Sequence, residues 1–481
     1  MDKKEQKEQN EKNEPNLMFE KKFAFDVWDD ATTKAAFDFC EGYKEFLNRA
    51  KTERLAVSFV EKAAIEAGFG RLEHIGQNDK IAKIGFDKPV YSVNRGKAII
   101  LAKPGKRPVS DGVRMILAHV DSPRLDLKVK PLFESDHIAF LKTHYYGGIK
   151  KYQWTALPLA MYGVIIRQDG SRVEIALGDD FKDQIFMITD LLPHLDKLQA
   201  EKKLDDAIPA ETLNVLIGSM GTKAKDDKDA VKKNLLKILN EKYGICEEDF
   251  VSADLELVPQ GFARDLGFDR SMIAAYGHDD RICAYPAMES LFKADNRDYA
   301  SILVLVDKEE IGSEGITSAN SNFIVDFVSE LLYLEADKHD ENVLRDAFFK
   351  SKAISADVTV AFDSDYAEVF DNMNTARLGA GIAVEKYNGH GGKIYSNEAT
   401  AEYMAFIRKI LNDADINWQT GGMGKIDIGG GSTIAKFLAC QNIDVVDAGI
   451  AILSMHAPFE IASKADIYSA YLAYKAFFES K

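Results

Sequence analysis

Glu309 and Glu310 are adjacent carboxylates that follow the apolar run Ser301–Val306, within the stretch Leu305-Val-Asp-Lys-Glu-Glu-Ile-Gly-Ser-Glu-Gly315. Two such groups repel each other and stay ionised at neutral pH only where water or a cation faces them. The residues beyond them, Ile311-Gly312-Ser313-Glu314-Gly315, have the composition of a turn rather than of a solvated helix face. The pair therefore points to a bound cation, with a polar loop after a strand as the alternative. Four further stretches carry the same chemistry. His119 and Asp121 follow Val113–Ala118, Asp279 and Asp280 follow Gly277-His278, Asp357 follows Ser355-Ala356, and His456 follows Ser454-Met455 after the apolar Ala448–Leu453. Imidazole and carboxylate are ligands of hard or borderline divalent ions, and two ions sharing a bridging carboxylate can activate one water between them. Asp121, two residues beyond His119 and on the same face, has the spacing to orient that imidazole and fix its tautomer.

Holding these groups together requires rigid carriers. Ser301–Val306 and Val113–Ala118 are continuous apolar runs, which predicts central strands with the polar groups at their carboxyl ends, where open α/β sheets keep their ligand crevice. Toward the N-terminus, apolar positions at helical spacing predict helices between Ala31 and Ala67, the second over Thr52–Ala67. Lys88–Asn94 and Lys97–Ala102 read as a strand pair about the turn Arg95-Gly96. From Gly261 onward, strands alternate with helices such as Tyr285–Lys293 and Asn322–Ala336, an α/β pattern.

The texture differs between these parts. Leu125–Val129, Tyr145–Gly148, Met161–Ile166 and Val173–Leu177 suggest short antiparallel strands, followed by an amphipathic helix near Asp229–Tyr243 and a last strand over Asp254–Val258. Ligand residues lie before and after this block, so residues 132–257 read as an insertion into a discontinuous unit of 17–131 and 258–481. Residues 1–16 are mostly Lys, Glu, Gln and Asn, and are expected to form a disordered tail.

A chain of 481 residues exceeds one ordinary core. A hydrophobic content of 46% and a charged content of 29% are those of a soluble globular protein, and the net charge of −16 argues against nucleic acid or an anionic membrane as partner. Cys40, Cys246, Cys283 and Cys440 show no paired spacing, so reduced thiols are expected. No apolar run approaches the roughly 20 residues of a membrane span, and the N-terminus lacks a signal-peptide core, so the expected location is cytoplasmic.

Taken together, His119-Val-Asp121-Ser-Pro-Arg124, Asp279-Asp280, Glu309-Glu310-Ile-Gly312, Ser355-Ala-Asp357 and Ser454-Met-His456 resemble, in order and spacing, the M18 family of metallo-aminopeptidases of the aspartyl aminopeptidase type. The resemblance runs from about Phe19 to the C-terminus. It implies a zinc-aminopeptidase-type α/β catalytic domain, with a mixed central sheet flanked by helices, interrupted by a β-rich dimerisation domain. It also implies two zinc ions per subunit, Co2+ or Mn2+ being other divalent ions of suitable chemistry, and a homo-oligomer built from dimers up to a tetrahedral dodecamer. By the same resemblance Asp279 bridges the two ions, His119 and Asp357 complete one shell, and Glu310 and His456 the other. Asp121 orients His119, Glu309 is the general base, and His194 reaches from one subunit into its partner's site.

The expected substrates are peptides with a neutral or acidic N-terminal residue. Acid-preferring relatives have a His-containing stretch after the metal-binding Asp, whereas Val358–Asp363 contains no cation. Lys386, Lys393 and Arg377 are other sources of positive charge. A deacylase or carboxypeptidase on the same metals would share this ligand set, whereas a catalytically silent assembly protein would have lost at least one ligand, and none is missing. The glycine-rich Asp427–Thr433 precedes the helix-like Ile434–Leu438 without the Gly-Lys-Ser/Thr of a phosphate loop, and reads as lining the substrate site.

Overall fold

The computed structural model describes residues 17–19, 21–72, 86–223, 228–295, 297–336 and 338–481. The tail expected over residues 1–16 lies outside them. A nine-stranded mixed sheet forms the centre, in spatial order Gly70–Arg71, Val90–Asn94, Ala98–Lys103, Ala300–Val306, Val113–His119, Lys352–Ser355, Asp444–Gly449, Ile382–Glu385 and Trp418–Thr420. Ala300–Val306, Val113–His119, Lys352–Ser355 and Asp444–Gly449 are neighbours and run parallel, so their carboxyl ends open on the same edge.

Period-two burial explains the uninterrupted apolar sequence of these strands. Leu303, Leu305, Ile116 and Ala118 pack on one face with helices Asp30–Arg49, Glu53–Glu66, His278–Lys293 and Lys464–Phe478. Ile302, Val304, Met115 and Leu117 pack on the other with Phe323–Ala336 and Glu341–Lys350. A one-residue slip of any strand would exchange the two faces and turn its terminal ligand away, so apolar packing fixes the register of the site.

A second, five-stranded sheet runs in the order Arg264–Leu266, Met272–Ala275, Glu460–Ser463, Ala451–Leu453 and Thr359–Val360. The third has seven strands, all antiparallel to their neighbours: Arg172–Leu177, Leu159–Ile166, Ala253–Pro259, Arg124–Ser135, Ile138–Tyr146, Asn214–Gly218 and Met187–Ile188. It packs its own core around Leu125, Leu141, Trp154, Ile165, Val215 and Leu257. The sequence boundary at residues 131 and 132 falls inside the strand Arg124–Ser135, because that strand begins directly after the His119–Asp121 turn.

The helix expected over Tyr285–Lys293 begins at His278. Its first turn, His278-Asp279-Asp280-Arg281, is polar, and Asp279 and Asp280 depart from helical dihedral angles, so apolar periodicity starts only after them. All four cysteines are free thiols. Among the described residues, no helix is long and apolar enough to cross a membrane.

Candidate metal centre

The parallel register sets the first half of the site. Ser355 pairs with Leu117, and the chain continues in step, Ala356 N–H donating to the Leu117 carbonyl at 2.7 Å. Asp357 thereby comes level with His119, its Oδ1 3.7 Å from His119 Nε2. A Cβ at Gly449 on the adjoining strand would stand 1.8 Å from the Asp357 carbonyl oxygen, so only glycine fits there.

Val306 pairs with His119, and beyond it the chain turns tightly through Lys308 at φ 72° and Gly312 at φ 94°. Glu309 and Glu310 ride on this turn. Their N–H groups donate to the two carboxylate oxygens of Asp121, at 3.2 Å each. His119 Nδ1 lies 3.1 Å from the Asp121 carbonyl and 3.3 Å from its Oδ1.

The other half comes from the five-stranded sheet. Asp279 opens the helix after Met272–Ala275, and His456, at φ 63°, lies in the turn between Ala451–Leu453 and Glu460–Ser463. The two oxygens of Asp279 face different imidazoles: Oδ1 is 3.1 Å from His119 Nε2, and Oδ2 is 3.1 Å from His456 Nε2. Glu310 Oε2 is 3.5 Å from His456 Nε2. Two ligand atoms held about 2.0–2.1 Å from one tetrahedral zinc stand about 3.4 Å apart, and these contacts have that spacing. One ligand atom from each of His119, Asp279 and Glu310 falls within 4.8 Å of the others, as does the set His119, Asp280 and Asp357.

Electrostatics points the same way. Burial, reinforced by Asp357, Asp121 and Asp279, pushes the Glu309 carboxyl up to about 8, against the opposing pull of His119. Glu310 is raised well above the usual range by burial and by Asp279. His456 is pushed up to about 11, Asp279 and Glu310 outweighing burial. Carboxylates buried this close together need positive charge beside them to stay ionised, which a divalent ion would supply. Glu310 Oε1 is buried and accepts no hydrogen bond among the described residues, and Asp279 Oδ1 is not aligned to accept one from His119. Lone pairs so directed suit metal coordination, and the residues present fit zinc.

His119, Asp121, Asp279, Glu309, Glu310, Asp357 and His456 thus converge, while His194 lies in an exposed loop after Met187–Ile188. Three more residues support the cluster, and of these Glu460 had no motif to reveal it. Glu460 is fully buried and accepts from the N–H of Asp279 at 3.1 Å and of His456 at 2.7 Å, tying the two together. Asp280 accepts from the His119 N–H at 3.3 Å. His278 is buried between the Tyr43 hydroxyl at 2.7 Å and the Ile273 carbonyl. Thr433, from the glycine-rich stretch, donates to Asp447 at 2.6 Å on the strand beside Ser355.

Histidines and carboxylates brought together from the ends of two sheets form the kind of cluster that metallohydrolases use. The family model described as aminopeptidase I zinc metalloprotease (M18) matches residues 46–478, and the chain belongs to the M18 family of zinc-dependent aminopeptidases. A probable M18 family aminopeptidase 1 of Clostridium acetobutylicum is 48% identical over 464 residues, covering 96% of this chain and 99% of that protein. The crystal structure of an M18 aminopeptidase from Thermotoga maritima superposes with a TM-score of 0.91 at 42% identity, covering 96% of this chain and all of that one. That of aminopeptidase I from C. acetobutylicum gives 0.89 at 44% identity over the same shares.

Proposed function

We propose that this aminopeptidase works with two zinc ions, Asp279 bridging them, His119 and Asp357 completing one shell and Glu310 and His456 the other. The observation that carries this is the division of Asp279, each of whose oxygens faces a different histidine at 3.1 Å. Zinc bound there supplies a Lewis acid for the scissile carbonyl and lowers the pKa of the attacking water. Asp121 orients His119 and, through the two N–H groups it accepts, fixes the turn that carries Glu309 and Glu310. Glu309 is the general base: it takes a proton from the water and delivers it to the leaving amine. The ionised form that this demands is favoured once cation charge offsets the carboxylates that now raise it.

The preferred N-terminal residue is neutral rather than acidic. Lys386 and Lys393 lie 3.8 and 2.9 Å from Glu398, and Arg377 stacks on Phe362 at 3.9 Å while donating to Asn372, so each candidate cation already has a partner. Residues 132–257 act as an inserted dimerisation domain, which brings His194 to the partner's site. The S. cerevisiae mApe1 dodecamer, 20% identical, has the same fold and illustrates an assembly of this kind. An assay with free-amine, N-acetylated and C-terminally blocked peptides tests the reading. Cleavage confined to free N-termini is expected, whereas cleavage of the acetylated peptide or a need for a free C-terminus would replace it with deacylase or carboxypeptidase chemistry.

A further inference from the structure

We propose that the turn Tyr146-Gly147-Gly148, at the end of a strand of the seven-stranded sheet, is a positioning element that holds both halves of the metal centre. The inference rests on the two-metal reading above. The Tyr146 hydroxyl donates to Asp121 Oδ2 at 2.8 Å, the oxygen that also accepts the Glu310 N–H. Asp121 in turn faces His119, so Tyr146 acts on the His119 half through that carboxylate. Its ring is clamped by the Arg124 guanidinium 3.8 Å above it, itself within 3.4 Å of Glu256 and 2.8 Å of Asp126.

Two residues on, the same turn reaches the other half. The Gly148 carbonyl accepts from His456 Nδ1 at 2.9 Å, which puts the proton on Nδ1 and leaves the Nε2 lone pair facing Asp279 and Glu310. A side chain on this approach would crowd the ligands. A Cβ at Gly147, whose φ is +73°, would stand 3.2 Å from Glu310 Oε2 and 3.4 Å from the Pro123 backbone, and one at Gly148 would stand 3.3 Å from His456 Nδ1. The sheet that contributes no ligand therefore fixes an imidazole in each half and limits the space of a third ligand.

The two contacts make separable predictions for the full-length chain, stripped with a chelator and titrated with Zn2+ by calorimetry. Wild type should bind two ions. Gly148→Ala should weaken one by about tenfold or more and leave the other unchanged, since an outer contact of a ligating histidine carries about ten- to a hundredfold in affinity. Tyr146→Phe, which removes one oxygen and cannot disturb packing, should also weaken zinc about tenfold and lower kcat with KM little changed. Thermal melts of the stripped proteins serve as the control and should coincide with wild type. Wild-type affinity for both ions in both variants would overturn the inference, as would loss of zinc only in step with a lowered melting temperature of the stripped chain. Fewer than two ions on wild type is a different result, and overturns the metal reading itself. Should Gly148→Ala fail to fold, Tyr146→Phe decides alone.

Discussion

Asp357 stands level with His119 across two parallel strands, its Oδ1 3.7 Å from His119 Nε2, because Ser355 pairs with Leu117 two residues earlier. The contact is thus set by backbone register rather than by side-chain flexibility. If the two share an ion, Asp357→Ala should leave close to one zinc per subunit and lower kcat/KM by at least a hundredfold, on the order of the largest losses seen for outer contacts of metal ligands. Two zinc ions by elemental analysis in that variant would remove Asp357 from the ligand set.

Metal removal should have a pH-dependent effect on stability. Glu309, raised from 4.5 to about 8, and His456, raised from 6.5 to about 11, both hold their protons more tightly folded than unfolded. Between pH 6.5 and 8 the metal-free folded chain therefore binds more protons than the unfolded chain, and its stability falls as pH rises. Zinc needs His456 deprotonated at its ligating nitrogen and its charge favours ionised Glu309, so its stabilisation grows over that window. The gap in melting temperature between zinc-loaded and chelator-treated protein should widen from pH 6.5 to 8, and a constant or narrowing gap contradicts the assigned protonation.

His194 is exposed, and the role proposed for it depends on assembly. Light scattering should find dimers or multiples of them, and His194→Ala should lower kcat without changing that size. A fully active monomer would remove both the dimerisation role of residues 132–257 and the contribution of His194.

Substrate preference follows from local charge. The net charge of −16 is screened beyond about 8 Å, so the pocket decides. A missing charge-assisted hydrogen bond is worth ~1.5–3 kcal/mol, or roughly ten- to a hundredfold. Leu- and other neutral substrates should match or exceed Asp- and Glu-substrates in kcat/KM at equal zinc loading. An acidic preference above tenfold would mean that Lys386, Lys393 or Arg377 leaves its present partner for the substrate.

The ligand-bearing strands were legible because burial on both faces leaves a continuous apolar run ending in a polar pair, as in Ser301–Val306 before Glu309 and Glu310. Order along the chain then linked groups hundreds of residues apart. Glu460 was not legible: it opens a short strand with no ligand spacing, and its role is to accept two backbone N–H groups that only the folded chain brings together. Gly147-Gly148 reads as part of a short strand for a similar reason, since close contact with Glu310 and His456 leaves no trace in local composition. The polar first turn of His278–Lys293 hid the helix start, because the residues that would have carried its periodicity face the site instead.

The division of labour between the adjacent carboxylates is the centre of the account, and Glu309→Gln tests it most directly. The amide keeps the shape of the side chain but cannot take a proton, so turnover should fall by at least about a hundredfold, the lower range for a general base. Zinc content measured on the same sample should stay at two per subunit. A near-wild-type rate with zinc intact would contradict Glu309 as the base, and zinc loss matching that of Glu310→Ala would reverse the two roles.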